Sequence, residues 1–164
     1  MKQTLLLVLL MSSLFSCQLK RNHQYLSTVS RIPNFQMQLL DSASIFQTAT
    51  IRTGEPILIF YFRPDCPYCR RQTKELIANI KQLKNVHLYM ISGAALDAIR
   101  QYSSQFRLGQ FGNIVIGKDY QYSFVDLYQP GVIPFLAIYN GKKQLLKIYH
   151  GEIPVQKLVS VINS

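Results

Sequence analysis

Residues 57–72 read Ile57-Leu-Ile-Phe-Tyr-Phe-Arg-Pro-Asp-Cys66-Pro-Tyr-Cys69-Arg-Arg-Gln72. The first six are apolar, β-branched or aromatic, the composition of a strand buried on both faces. From Arg70 to Leu83, apolar side chains recur at Leu76, Ile77, Ile80 and Leu83, which predicts a helix with one apolar face. A Cys-x-x-Cys between a strand and a helix is a redox pattern. A thiol in the first helical turn meets unpaired backbone N–H groups and the positive end of the helix dipole. Both favour the thiolate. Cys66 is therefore the expected nucleophile, and Cys69, one turn further on, the expected resolving thiol. Pro67 suits the first helical turn, where its missing N–H costs nothing.

Beyond this stretch, strands and helices alternate. Phe35, Met37, Leu39 and Leu40 begin an extended segment, and Ile45 to Ile51 suggest a second, before a turn at Thr53-Gly54-Glu55-Pro56. Val86–Ile91 reads as a buried strand, Ala94–Phe106 as a helix, Asn113–Ile116 as a short strand and Gln121–Tyr128 as a short helix. Phe135–Tyr139 and Gln144–Tyr149 form a hairpin around Asn140-Gly141, a two-residue turn signal. Pro154–Ile162 closes the chain as a helix with Val155, Leu158, Val159 and Ile162 apolar. This order predicts an α/β fold, a mixed sheet with helices on both faces.

The N-terminus has the pattern of an export signal over residues 1–16: one early lysine, an apolar run from Leu5 to Leu10, then small residues. The run is short for a membrane span. Residues 17–31 read as a polar tether, and the globular domain is expected over 32–164. Of the three cysteines, only Cys66 and Cys69 fall in that domain, so no structural disulfide framework is implied for an exported protein.

The segment around Cys66 and Cys69 looks like the active site of a thioredoxin-fold protein; Cys-Pro-Tyr-Cys is also the glutaredoxin dipeptide. The stretch from Cys66 to Pro134 is longer than in a minimal thioredoxin by about one helix and one strand. That arrangement is similar to the exported, membrane-tethered TlpA/ResA-type thioredoxins, relatives of the AhpC/TSA peroxiredoxin group. Ile32-Pro-Asn-Phe35 and Gly131-Val-Ile-Pro134 match their pattern. The resemblance covers about residues 32–162. It implies a central mixed sheet flanked by helices, with an inserted helix and strand. It also implies that Pro134 is cis and lies against the cysteines, and that the backbone of Ile133 pairs with an extended substrate, with Pro67 and Tyr68 beside it. No cofactor is implied beyond the redox-active Cys66–Cys69 disulfide. Leu14-Phe-Ser-Cys17 resembles a bacterial lipobox, which makes Cys17 the lipidated residue; the alternative is an ordinary cleaved signal with Cys17 incidental. The implied location is the bacterial envelope, lipid-anchored and facing the periplasm or extracytoplasmic space. The implied partners are protein thiols and disulfides and a membrane electron donor, with the protein itself a monomer.

Departures from the pattern are specific. Phe60 stands where thioredoxin buries an acid, Pro64-Asp65 stands in the region of its tryptophan, and Gln72 is neutral where many TlpA-type helices carry an acid. Glu75, one turn on, is either a proton carrier or a solvated side chain beside Lys74. Arg63, Arg70 and Arg71 favour a thiolate and an oxidising couple, and Asp65 opposes them.

The chain carries 18 basic against 8 acidic residues, a net charge of +10. Such an excess favours anionic surfaces such as lipid headgroups. It shows no nucleic-acid module. Two alternatives to a thiol–disulfide oxidoreductase remain. One is a copper chaperone using Cys66, Cys69 and either His87, expected inside a buried strand, or His150. The other is a redox-silent lipoprotein scaffold. A thiol peroxidase would have Thr-x-x-Cys, whereas Arg63-Pro-Asp precedes Cys66 here.

Overall fold

A computed structural model describes residues 27–164. The expected signal segment, Cys17 and most of the expected tether lie outside the described residues. The buried run of the sequence is β3 (Ile57–Tyr61), all five residues of which are buried. It lies parallel to β4 (His87–Ser92) and antiparallel to β6 (Phe135–Tyr139). Outside β4 come β5 (Ile114–Lys118), β1 (Gln36–Leu39) and the short β2 (Ile45–Gln47); outside β6 comes β7 (Leu145–His150). The sheet order is therefore β2-β1-β5-β4-β3-β6-β7.

Strand alternation divides the core into two faces. Leu58, Phe60, Met90 and Leu136 pack on one side against Leu76 of α1 (Pro67–Ala78), Ile99 of α2 (Leu96–Gln105) and Leu158 of α4 (Val155–Ile162). Ile57, Ile59, Tyr61 and Ala137 pack on the other against Phe35 and α3 (Ser123–Tyr128). Phe124 of α3 stacks on Tyr61 at 4.7 Å and on Tyr128 at 4.3 Å. Each such buried side chain contributes about 1.5–3 kcal/mol. Between Cys69 and Pro134 the chain builds α1, β4, α2, β5 and α3, the enlarged arrangement the resemblance implied. Among the described residues no helix is long and apolar enough to cross a membrane.

The structure departs from the sequence reading in four places. The helix after Cys69 ends at Ala78, and a 3-10 turn, Ile80–Leu83, follows. Asn79 breaks it: its side chain donates to the Glu75 carbonyl (2.9 Å), a local bond that competes with helix continuation. The β6–β7 connection is not a two-residue turn. Asn140 still pairs with Gln144 (3.0 Å), and Lys143, at φ 61°, takes the left-handed position that closes a three-residue loop. Gly141 serves a different need, since a Cβ there would meet the Gly54 carbonyl oxygen at 2.6 Å. The packed domain also starts before residue 32. Val29 is buried, its carbonyl accepts from Tyr139 Oη (3.1 Å), and the Ser30 carbonyl accepts from Leu145 N–H (2.8 Å). Finally, His87 is not interior: it opens β4 half-exposed and pairs with Glu55 at 2.7 Å.

A buried carboxylate, Asp119, escaped the sequence reading. It accepts from the N–H groups of Phe124 (3.1 Å) and Val125 (3.3 Å), holding the start of α3. Burial pushes its carboxyl above the usual carboxylate range, more than those hydrogen bonds lower it. The folded state therefore holds the proton more tightly than the unfolded chain. The resulting stability is complete below the ordinary carboxylate pKa and is lost as pH rises through the folded value. Asp119→Asn keeps one acceptor and removes the titration. The stability of wild type relative to this variant is expected to fall as pH rises from the ordinary carboxylate value, about 3.9, through the range above it. Thermal melts of both proteins across that range would show it; a pH-independent difference would contradict it.

Candidate active site

The central strand delivers the chain to the site. After Tyr61, the Phe62 N–H bonds to the Ile91 carbonyl of β4 (3.0 Å), and the chain then turns through Arg63–Asp65 to Cys66. Cys66 is the N-cap of α1, with Pro67 in the first turn. The Cys66 Sγ accepts from the Cys69 N–H at 3.3 Å, so a sulfur takes one of the helix's orphan donors. The two cysteines are free thiols in unequal surroundings: Cys66 is half-buried, whereas Cys69 is fully buried. Burial, and then the hydrogen bond with Cys66, push the Cys69 thiol well up.

Below Cys69 the environment is apolar and hydroxylic. Phe60 is fully buried and packs on Phe62 (5.6 Å between rings). The Tyr102 hydroxyl of α2 donates to the Cys69 carbonyl (3.2 Å) and lies 2.5 Å from Thr73 Oγ1. Burial raises the Tyr102 phenol far above its ordinary value, so it remains a neutral donor at physiological pH.

The arginines are engaged rather than loose. Arg63 makes a bidentate pair with Asp65 (3.1 and 2.6 Å), and Arg71 makes one with Glu152 (2.9 and 2.8 Å). Arg71 also lies over the ring of Tyr68, 4.6 Å from its centroid, steadying a half-exposed aromatic beside Cys66. Arg70 binds the Pro64 carbonyl (3.2 Å) and Gln105 Oε1 (2.9 Å), over the Phe106 ring at 5.1 Å. It ties the loop before Cys66 to the end of α2.

Pro134 is buried, and the Ile133–Pro134 bond is cis. Ile133 shares a groove with Arg63, Pro64 and Asp65, the residues leading into Cys66. Its backbone N–H and C=O have no partner among the described residues. The Pro134 carbonyl accepts from Gly151 N–H at 2.7 Å. The next residues reach α1 in succession: Glu152 to Arg71, Ile153 to Gln72, and the Val155 N–H to Glu75 Oε1 at 3.4 Å. The Gln72 link is double, with Nε2 donating to the Ile153 carbonyl (3.0 Å) and Oε1 accepting its N–H (2.7 Å). Residues 151–155 thus bracket the proline loop to the cysteine helix. No sequence signal marks this, because each partner is remote along the chain. Glu75 is not a free solvated side chain: its Oε1 accepts from the N–H that opens α4.

Neither of the two described histidines joins the cysteines. His87 lies at the opposite end of β4, and His150 packs edge-on against Phe135 (5.2 Å). Among the described residues no group of three His, Cys, Asp or Glu side chains is placed to hold a metal ion.

Comparison with known proteins bears on the fold that carries these residues. The chain resembles, at 17% identity and TM-score 0.66, a secreted Mycobacterium tuberculosis disulfide oxidoreductase homologous to Escherichia coli DsbE, covering 84% of this chain and 97% of that one. StoA from Bacillus subtilis matches at 15% identity and TM-score 0.59, over 80% of this chain and 98% of that one. A mitochondrial 2-Cys peroxiredoxin from Plasmodium falciparum matches at 14% identity and TM-score 0.65, over 82% and 91%. At these identities the likeness is one of fold. No curated protein sequence is significantly similar to the chain. The AhpC/TSA family model matches residues 29–150, from the first packed residue through all seven strands and the cysteine turn. By that match the chain belongs to the AhpC/TSA family, and its fold is thioredoxin-like.

Proposed function

We propose that this protein is an exported thiol–disulfide oxidoreductase that reduces protein disulfides at the extracytoplasmic face of a bacterial membrane, tethered through a lipidated Cys17. One observation carries the redox reading: a half-exposed Cys66 capping a helix, with a buried Cys69 donating its N–H to the Cys66 sulfur. Cys66 Sγ attacks a substrate disulfide, forming a mixed disulfide and expelling the other substrate sulfur as a thiol. Cys69 loses its proton and attacks Cys66 Sγ. The substrate leaves with both electrons, and the protein retains a Cys66–Cys69 disulfide for a membrane electron donor to reduce. Ile133 offers its backbone to the extended substrate, with Pro134, Pro67 and Tyr68 around the sulfur.

Two features favour the reducing direction. Arg63 and Arg71 are each neutralised by a bidentate carboxylate, so their charges are not left to stabilise a thiolate and make the couple oxidising. Burial also disfavours the Cys69 thiolate, so the reduced form gains no thiolate stabilisation there.

Equilibration of the soluble domain with glutathione tests this. A reduction potential near that of thioredoxin, about −270 mV, is expected. A value near −120 mV, on the order of a DsbA-type oxidant, would reverse the direction, and the absence of a reversible couple would overturn the redox function itself.

A further inference from the structure

The residues that lead into Cys66 border a groove of about 580 Å³, lined by Tyr61, Gly93, Ala94, Ala98, Tyr122 and Ile133, with the exposed Arg63 and Asp65 at its mouth. Its floor is open because residue 93 is glycine. A Cβ there would stand 2.9 Å from Tyr61 Oη and 3.4 Å from the Tyr122 ring. Its outer wall is Tyr122, 58% exposed and held at φ 56°. A tyrosine in the left-handed region is costly, and such residues concentrate where a site requires them. The turn that holds it is well anchored. The Tyr122 N–H bonds the Asp119 carbonyl (3.3 Å), the Asp126 N–H bonds the Tyr122 carbonyl (3.0 Å), and the buried Asp119 carboxylate fastens Phe124 and Val125. Tyr122 is therefore displayed on a rigid support.

The occupant can be specified by chemistry. Ile133 contributes an unpaired backbone donor and acceptor to the groove, which suits a main chain. The walls are aromatic and aliphatic. At the mouth Arg63 is occupied by Asp65 at 2.6 Å, so no free charge there calls for a charged side chain. We infer that the groove is a selectivity pocket for a large apolar or aromatic side chain flanking the target cysteine of an extended polypeptide, with Gly93 as its floor and Tyr122 as its wall. This inference rests on the disulfide exchange proposed above and adds which protein disulfides are preferred. The exchange is balanced: two electrons and two protons pass from the Cys66/Cys69 dithiol to the substrate disulfide, releasing two thiols and leaving the Cys66–Cys69 disulfide.

The test uses the prereduced protein and two short peptides, each joined through its single cysteine to glutathione and differing only in phenylalanine or serine beside that cysteine. Oxidised glutathione is the third substrate, and release of thiol is followed by chromatography. The phenylalanine peptide is expected to react about tenfold faster than the serine peptide, the scale of discrimination by an apolar pocket. Gly93→Val and Tyr122→Asn should each bring that ratio to within about twofold. Asparagine tolerates the left-handed backbone, so Tyr122→Asn decides the matter even if Gly93→Val fails to fold. Equal rates for the two peptides with wild type, a preference for serine, or a ratio preserved in Tyr122→Asn would overturn the pocket. If oxidised glutathione is consumed while the peptides do not differ, only the pocket falls. If none of the three disulfides reacts, the redox function falls with it.

Discussion

Serine in place of Cys66 is expected to reduce disulfide exchange to the uncatalysed rate, while serine in place of Cys69 leaves a protein that attacks once and stays joined to its substrate. The asymmetry follows from burial. Cys66 is half-buried at the N-terminal end of α1, directly after the groove residues Arg63–Asp65, and its partial exposure leaves it open to an external disulfide. Cys69 is fully buried, and burial raises its pKa, so it cannot substitute as the first nucleophile. Its proximity to Cys66 suits it to resolve a mixed disulfide instead. Cys69→Ser exchanges one small group for another at a site whose N–H still caps toward Cys66, so the fold should survive. Non-reducing electrophoresis and intact-mass measurement would reveal accumulating adducts in Cys69→Ser and none in Cys66→Ser. Adducts on Cys69 in the Cys66→Ser protein would reverse the assignment of the two roles.

Replacement of Gln72 by leucine is expected to destabilise the protein by roughly 2–6 kcal/mol. Gln72 is buried, and its amide satisfies both the N–H and the C=O of Ile153. Leucine would leave two buried backbone groups without partners, each costing about 1–3 kcal/mol. For a domain of this size that is a fall in Tm on the order of 10 °C. The consequence extends to the site. Gly151 bonds the Pro134 carbonyl, Glu152 clasps Arg71 and Arg71 supports the Tyr68 ring, so a loosened Ile153 frees the proline loop from the cysteine helix. Disulfide exchange with peptides should weaken along with stability. Calorimetry and peptide kinetics on Gln72→Leu and on Arg71→Ala separate the two effects. Arg71→Ala removes a half-exposed ion pair worth about 1 kcal/mol or less, yet it also releases Tyr68. A Gln72→Leu protein as stable as wild type would show that the bracket is not a structural tie.

The neutral Gln72 illustrates how a departure legible in the sequence acquires its meaning only in three dimensions. Along the chain it is a neutral amide where the resemblance implied an acid; in the fold it is the strut to Ile153. The arginines behave likewise. Their clustering near Cys66 was visible, but the carboxylates that pair with two of them come from two positions on for Arg63 and from eighty-one residues away for Arg71, while Arg70 meets only neutral acceptors. Asn140-Gly141 misled through a local rule. The turn geometry there follows from Lys143, while Gly141 answers to the backbone of Gly54 across a contact that no short-range pattern encodes.

The linear chain by itself determined the central strand, the cysteine turn, the helix after it and the alternation that yields a mixed sheet. These follow from periodicity, from Pro67 at a helix start and from composition, all properties of neighbours. Tertiary structure alone decided which groups surround the sulfurs. The tie from residues 151–155 to α1, the hydroxyls of Thr73 and Tyr102 under Cys69, the buried Asp119 and the Gly93–Tyr122 groove each join segments distant in sequence. Their partners are chosen by the crossing of strands and the packing of buried faces, which become defined only when the whole sheet closes.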